Sequence, residues 1–200
     1  MKVNKLYPVN VFEFDLKLDM DVVREIGKLD LIYRGGTGVQ NSELNLHKHH
    51  RFDELAINFY ACLRQVYQHY NHDCKGYKIT SMWANKYERG AAQEPHRHAN
   101  SYWSGNFYAT EGTPTLFFDP IHDRSQGSLE LFTLPKITME GITQNAPIQE
   151  VIHAVPNKLI IFPSWFWHCT IPAEDDRYTV SFNALPYGPI NGGIANIDIS

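Results

Sequence analysis

Two hundred residues, 43% apolar and 13% aromatic, are enough to fill one core, and the chain reads as a single domain over 1–200. A net charge of −4 with mixed signs leaves no broad basic footprint, so nucleic acid is not expected as a partner. No Arg-rich or apolar leader and no bilayer-length apolar run occurs, and Cys62, Cys74 and Cys169 are widely spaced with no CxxC pair, so a cytoplasmic protein without membrane, disulfide framework or zinc ribbon is expected.

The first third reads helical. Val22, Ile26 and Leu29 recur at i, i+4, i+7 behind an acidic start, and Gly35-Gly36 ends that unit. A longer helix is predicted over Asp53–Tyr70, where Phe52, Leu55, Phe59, Leu63, Val66 and Tyr70 form one apolar stripe and Asn71 and Gly76 follow as stop signals. From Tyr77 the grammar changes to short aromatic and β-branched runs between Gly, Pro and Asp turns. Strands are predicted at Ile79–Tyr87, Ser104–Thr110, Thr115–Asp119, Leu129–Leu134, Leu159–Phe162, His168–Ile171 and Arg177–Ala184. Strands after helices suggest a mainly β sandwich or jelly-roll, about 77–186, buttressed by helical support over about 15–75. Leu159–Phe162 is apolar on both faces and should be a central strand. In Arg177–Asn183 the even positions are apolar, while Arg177, Thr179, Ser181 and Asn183 share a face that either lines a pocket or meets solvent.

Ten histidines are the unusual number, because imidazole is the commonest metal-ligand side chain. His96 and His98 sit two apart in an extended segment, so both can reach one metal, and His168 follows an aromatic cluster at the start of a later strand. Two near ligands and one distant ligand build a metal site on facing strands, although HxH pairs also arise by chance in a histidine-rich chain. His47, His49 and His50 form a denser cluster in a polar loop and read as a solvated run. His69 and His72 flank a helix end and read as caps for its carbonyls. His122 and His153 are isolated turn or strand residues. Arg177 opens the polar face nine residues after His168, on the adjacent strand if Pro172–Asp176 is a hairpin loop. Its guanidinium suits a bidentate grip on a carboxylate, unless it pairs locally with Glu174, Asp175 or Asp176.

The segments HRHANSYWSGNFYAT, TLFFDP, PNKLIIFPSWFWHCTIP and RYTVSFN resemble a family of iron(II)/2-oxoglutarate oxygenases distantly related to prolyl hydroxylases. That family carries HxHxxS followed by SGxxY, then FPSW…H and a closing RxSxxFN, and the opening Leu6-Tyr7-Pro8 and Trp83-Ala84-Asn85 are similar to it as well. The resemblance implies a double-stranded β-helix (jelly-roll) with supporting N-terminal α-helices. It implies Fe(II) on His96, His98 and His168, with 2-oxoglutarate as cosubstrate, held by Arg177 and Tyr108, and dioxygen as co-reactant. It further implies hydroxylation of a small-molecule or protein side-chain substrate, releasing succinate and CO2. Tyr102, Trp103, Trp165, Trp167 and Asn183 are the substrate-pocket candidates. Two departures stand out. His98 occupies the place where the wider superfamily has a carboxylate ligand, with Asp119 or Asn100 as substitutes, and Asn157 stands where the family usually has Gly. The rival readings are a three-histidine dioxygenase that does not use 2-oxoglutarate and a non-catalytic metal-binding jelly-roll.

Overall fold

The computed structural model describes residues 9–33, 38–118, 138–139, 142–143 and 148–199. The amphipathic stripe produces helix α2, Asp53–Tyr70, with Leu55, Phe59, Leu63 and Val66 buried and Phe52 buried just ahead of it. Helix α1, Val22–Ile26, starts at Asp21, whose carboxylate accepts the Arg24 N–H at 3.0 Å. Glu54, in the first turn of α2, accepts the N–H groups of Asp19 (2.6 Å) and Met20 (3.0 Å) and so ties the two helices together.

Asn71 ends α2 in the left-handed conformation, φ 49°. His69 and His72 do not cap the helix carbonyls as expected. Asn71 already turns the chain away, so both imidazoles enter an aromatic cluster: His69 meets Phe12 edge-on and His72 Nδ1 bonds the Tyr77 hydroxyl. His49 pairs with Glu43 at 2.8 Å, and His153 is exposed.

The strands are β1 (Phe12–Asp15), β2 (Ile32–Tyr33), β3 (Val39–Asn41), β4 (Gly76–Tyr87), β5 (Trp103–Tyr108), β6 (Gly112–Phe118), β7 (Thr138–Met139), β8 (Ile142–Thr143), β9 (Ile148–Ala154), β10 (Lys158–Pro163), β11 (His168–Thr170), β12 (Arg177–Ile190) and β13 (Ala195–Ile197). The larger sheet runs β1-β10-β5-β12-β4-β3-β2, with β13 on the far end of β12. The smaller runs β11-β6-β9, and β7 pairs with β8. The N-terminal third is therefore not purely helical, since β1, β2 and β3 close the edges of the larger sheet. Strands this short, paired with distant segments, carry no periodicity to read. The predicted strand at Leu129–Leu134, the Gly35-Gly36 stop, His122 and Asp119 lie outside the described residues.

Alternation along β12 separates two faces. Val180, Phe182 and Ala184 pack under α2, the Phe182 ring centred 5.0 Å from that of Phe59. Gly105 on β5 pairs with Phe182, and a Cβ there would lie 2.2 Å from a ring carbon, so only glycine lets the two strands carry this core. The odd residues Arg177, Thr179 and Ser181 face the smaller sheet. β11 and β12 do not form the expected hairpin: β11 pairs β6 in the smaller sheet, whereas β12 lies between β5 and β4 in the larger. Pro172–Asp176 crosses between the layers, so His168 and Arg177 enter the interior from opposite sheets. Asn157 makes the turn before β10 at φ 67°, where it replaces glycine without loss of the turn.

Candidate metal centre

His96 reaches the centre through backbone pairing. Its N–H donates to the His168 carbonyl at 2.9 Å, and the His168 N–H donates back at 3.0 Å. Two residues on, the His98 N–H donates to the Ser164 carbonyl at 2.9 Å. The segment before β5 is thus stitched to both sides of the turn that precedes β11. The two rings of this segment and that of His168 converge, with ligand nitrogens all within 4.8 Å of one another. The rings of His96 and His168 are centred 4.3 Å apart, and His98 Nε2 lies 3.3 Å from His168 Nε2.

Two carbonyls set the tautomers. His96 Nδ1 faces the Glu94 carbonyl at 2.7 Å and His168 Nδ1 faces the Phe166 carbonyl at 2.9 Å. A carbonyl only accepts, so each Nδ1 carries the proton and each Nε2 keeps its lone pair for a metal. Burial holds all three rings neutral. It pushes His98 down to about 4, aided by neighbouring His96, and lowers His168 well below the ordinary imidazole value with help from both partners. His96 is lowered by burial against the opposing pull of the Glu94 carbonyl. Three neutral nitrogen donors with no competing protons suit a divalent first-row ion and leave further coordination positions open. Among the described residues no carboxylate joins this cluster. Asn100 is exposed.

Arg177 is fully buried. Its guanidinium carbon stands 4.7 Å from the Tyr87 ring centre and 5.3 Å from that of Tyr108, while Nε, Nη1 and Nη2 have no hydrogen-bond partner. The local alternative fails, because Asp176 turns instead to Lys86 at 3.5 Å. A buried, unpaired guanidinium costs several kcal/mol, by the order of magnitude for an uncompensated charge, and it fits a site waiting for a carboxylate. Tyr108 donates to Thr115 Oγ1 at 2.7 Å, and burial raises its hydroxyl to about 12, so it stays protonated.

A cavity of about 230 Å³ lies between the sheets. His96, His98 and His168 line it, as do Tyr87, Thr115 and Phe162. The five pocket candidates lie elsewhere. Trp103 is buried with Phe12 and Tyr70 on the helix side of the larger sheet, and Tyr102 is 45% exposed, stacked on Tyr77. Trp165 is exposed. Trp167 packs against Leu116 and Phe118, with Arg97 over its ring at 5.4 Å. Asn183 accepts from Ser104 at 2.8 Å and does not line the cavity. The cavity wall holds instead Asn41, Trp83, Asn85, Gln93 and Asn106, which sequence reasoning missed. The signal was present in Trp83-Ala84-Asn85-Lys86-Tyr87, where the odd residues share one face.

A jelly-roll closed around an imidazole cluster is an architecture able to hold a divalent metal ion. The family model described as "Putative 2OG-Fe(II) oxygenase" matches residues 81–183, and the chain belongs to that family: it is an iron(II)- and 2-oxoglutarate-dependent oxygenase. No curated protein matches the sequence. Solved structures share the fold. A Pseudomonas putida prolyl-4-hydroxylase is 16% identical with a TM-score of 0.53, over 88% of this chain and 92% of its own. HygX from Streptomyces hygroscopicus, solved with nickel, 2-oxoglutarate and hygromycin B, is 12% identical with a TM-score of 0.60, over 89% and 83%. The α-ketoglutarate-dependent epimerase SnoN from nogalamycin biosynthesis is 8% identical with a TM-score of 0.65, over 90% and 79%. Among the described residues no helix is long and apolar enough to cross a membrane.

Proposed function

We propose that His96, His98 and His168 hold the iron, that Arg177 with Tyr108 takes the far carboxylate of 2-oxoglutarate, and that the enzyme hydroxylates a small-molecule or protein side-chain substrate. The observation that carries this reading is the Arg177 guanidinium, fully buried with three unpartnered nitrogens against the rings of Tyr108 and of Tyr87, the latter lining the same cavity as the three histidines. Bound iron(II) supplies the redox chemistry that couples dioxygen and the oxidative decarboxylation of 2-oxoglutarate to substrate oxidation.

The chain's own residues supply geometry and charge. The Glu94 and Phe166 carbonyls lock two rings with Nε2 inward. His98 in place of a carboxylate leaves the centre one unit more positive, which suits a dianionic cosubstrate. The Tyr108 hydroxyl stays protonated, and Tyr87 and Tyr108 flank the guanidinium so that its charge is met by one carboxylate and not by water. Arg177 speaks against a three-histidine dioxygenase that dispenses with 2-oxoglutarate, and succinate release separates the two. The three free cysteines support a reducing, cytoplasmic setting.

The test is succinate formation by the iron-loaded protein given 2-oxoglutarate and air. Slow succinate release by the native protein, lost in Arg177→Met, is expected. Equal release by the variant would remove Arg177 from the site.

A further inference from the structure

The wall that β3, β4 and β12 give the cavity is a chain of hydrogen bonds whose polarity is set by one donor. The Trp83 indole N–H can only donate, and it does so to Asn85 Oδ1 at 2.9 Å. The same oxygen accepts from Asn41 Nδ2 at 2.7 Å, while Asn85 Nδ2 donates to Thr179 Oγ1 at 2.9 Å and Ser181 Oγ at 3.0 Å. Ser181, having accepted, gives its own proton to Asn106 Oδ1 at 3.2 Å. Asn41, which lines the cavity, is left presenting a carbonyl oxygen, while the Asn106 amide, its orientation fixed by Ser181, turns its N–H side toward the Tyr108 hydroxyl.

Donors and acceptors therefore divide the cavity. A 2-oxoglutarate dianion suits the side of Asn106 and Tyr87, where Arg177 stands behind the lining against the Tyr87 and Tyr108 rings, and is repelled by a bare carbonyl oxygen. At the Asn41 end the Trp83 N–H is spent on Asn85, so the indole offers only its ring. Among the described residues no Asp, Glu, Lys or Arg lines the cavity. A charged group entering there would lose its water and gain no counter-charge. A neutral N–H would find an acceptor already oriented, with an apolar wall beside it.

We propose that the substrate places an uncharged amide N–H against Asn41 Oδ1, with its body on the Trp83 ring, and that Asn85 is the positioning residue that holds this acceptor in register. This deepens the oxygenase reading and rests on it. A free carboxamide and a peptide amide share the chemistry and are separated by experiment.

The test uses the full chain loaded with diamagnetic zinc(II) and saturating 2-oxoglutarate. Nuclear magnetic resonance follows the Trp83 indole N–H and the Asn41 side-chain amide during titration with propionamide, N-acetylglycine N-methylamide, propionate or propylammonium. Both amides are expected to shift these resonances with half-saturation about tenfold or more tighter than either charged probe. The tighter of the two amides identifies the source. Asn41→Asp is expected to reverse the order, so that propylammonium overtakes propionamide. Asn41→Leu is expected to weaken both amides without any gain for propylammonium, which separates a lost acceptor from a gained charge. Propionate binding as tightly as propionamide, no shift from either amide, or an unchanged order in both variants overturns the proposal. The 2-oxoglutarate affinity of the same samples keeps the two readings apart. Normal affinity with the wrong probe order sinks only the amide assignment, whereas absent 2-oxoglutarate binding sinks the oxygenase reading beneath it.

Discussion

His96 and His168 exchange both backbone hydrogen bonds, at 2.9 and 3.0 Å, across an isolated antiparallel bridge. The link between the loop before β5 and the start of β11 is thus made by main chain, and the imidazoles are free to serve a metal. His168→Ala should keep this bridge and the fold, while iron affinity falls on the order of a hundredfold or more. Circular dichroism and an anaerobic iron titration check the two halves. Loss of the fold together with the metal would show that the ring itself holds the sheets.

His98 is the departure from a carboxylate ligand. Its Nε2 is 3.3 Å from His168 Nε2, so a ligand there shares any ion that His168 holds. His98→Asp should retain iron, having restored a two-histidine, one-carboxylate set, and His98→Ala should weaken it. Iron stoichiometry by metal analysis after gel filtration decides. Full iron retention in His98→Ala would release His98 from the ligand role.

Arg177 should trade stability for binding. Arg177→Met removes an uncompensated buried charge, so the metal-free protein should be no less stable than the native one, and up to about 1–3 kcal/mol more. The same change should weaken 2-oxoglutarate binding by about 1.5–3 kcal/mol, the worth of a charge-assisted hydrogen bond. Thermal melts with and without the cosubstrate measure both effects, since a ligand that binds only the folded state raises its melting point. A variant melting well below the native protein would mean that the two tyrosine rings alone stabilise the guanidinium.

The pH dependence follows from the depressed imidazoles. His96, His98 and His168 are all lowered by burial, His98 to about 4, so they are neutral in the folded protein at pH 7. Metal binding at pH 7 should therefore release fewer protons than the roughly 0.7 in total that three ordinary imidazoles would release. Calorimetry in buffers of different ionisation enthalpy reads this number directly. The unfolded chain takes up protons below about pH 6.5 that the folded chain refuses, so metal-free stability should fall as the pH drops from there toward about 4. Stability that is flat across this window would contradict the burial of the cluster.

Gly105 is a purely structural test. An alanine there would place its Cβ 2.2 Å from the Phe182 ring. Gly105→Ala should cost about 1–3 kcal/mol, and much of that cost should vanish in a Phe182→Leu background. Urea midpoints for the four proteins give the coupling. A native-like midpoint for Gly105→Ala alone would mean that the strands part more easily than this packing implies.

Much of the fold was legible wherever burial imposed a period. The α2 stripe reads at 3.6, and Arg177–Asn183 reads at 2 and turns its odd side chains into the interior. Layer assignment was not legible, because nothing in Pro172–Asp176 distinguishes a hairpin from a crossing between sheets. The aromatic pocket candidates conflict with an alternation that was available. If Tyr108 points inward on β5, Trp103, an odd number of residues away, points outward to Phe12 and Tyr70. Trp167 likewise faces away from its neighbour His168. The amide wall was hidden for another reason. Asn41, Asn85 and Ser181 meet only through the register of β3 on β4 and β4 on β12, a long-range property without local trace.

The most direct measurement is the anaerobic titration of iron-loaded protein with 2-oxoglutarate, followed by its visible charge-transfer absorption. The native protein should develop one saturable band at one cosubstrate per iron. Arg177→Met should develop it only at concentrations roughly tenfold or more higher, matching the lost charge-assisted bond, and His168→Ala should not develop it. A native protein that binds iron yet shows no band, or an Arg177→Met titration that overlays the native curve, would contradict the assignment of the metal centre and of Arg177 as the carboxylate partner.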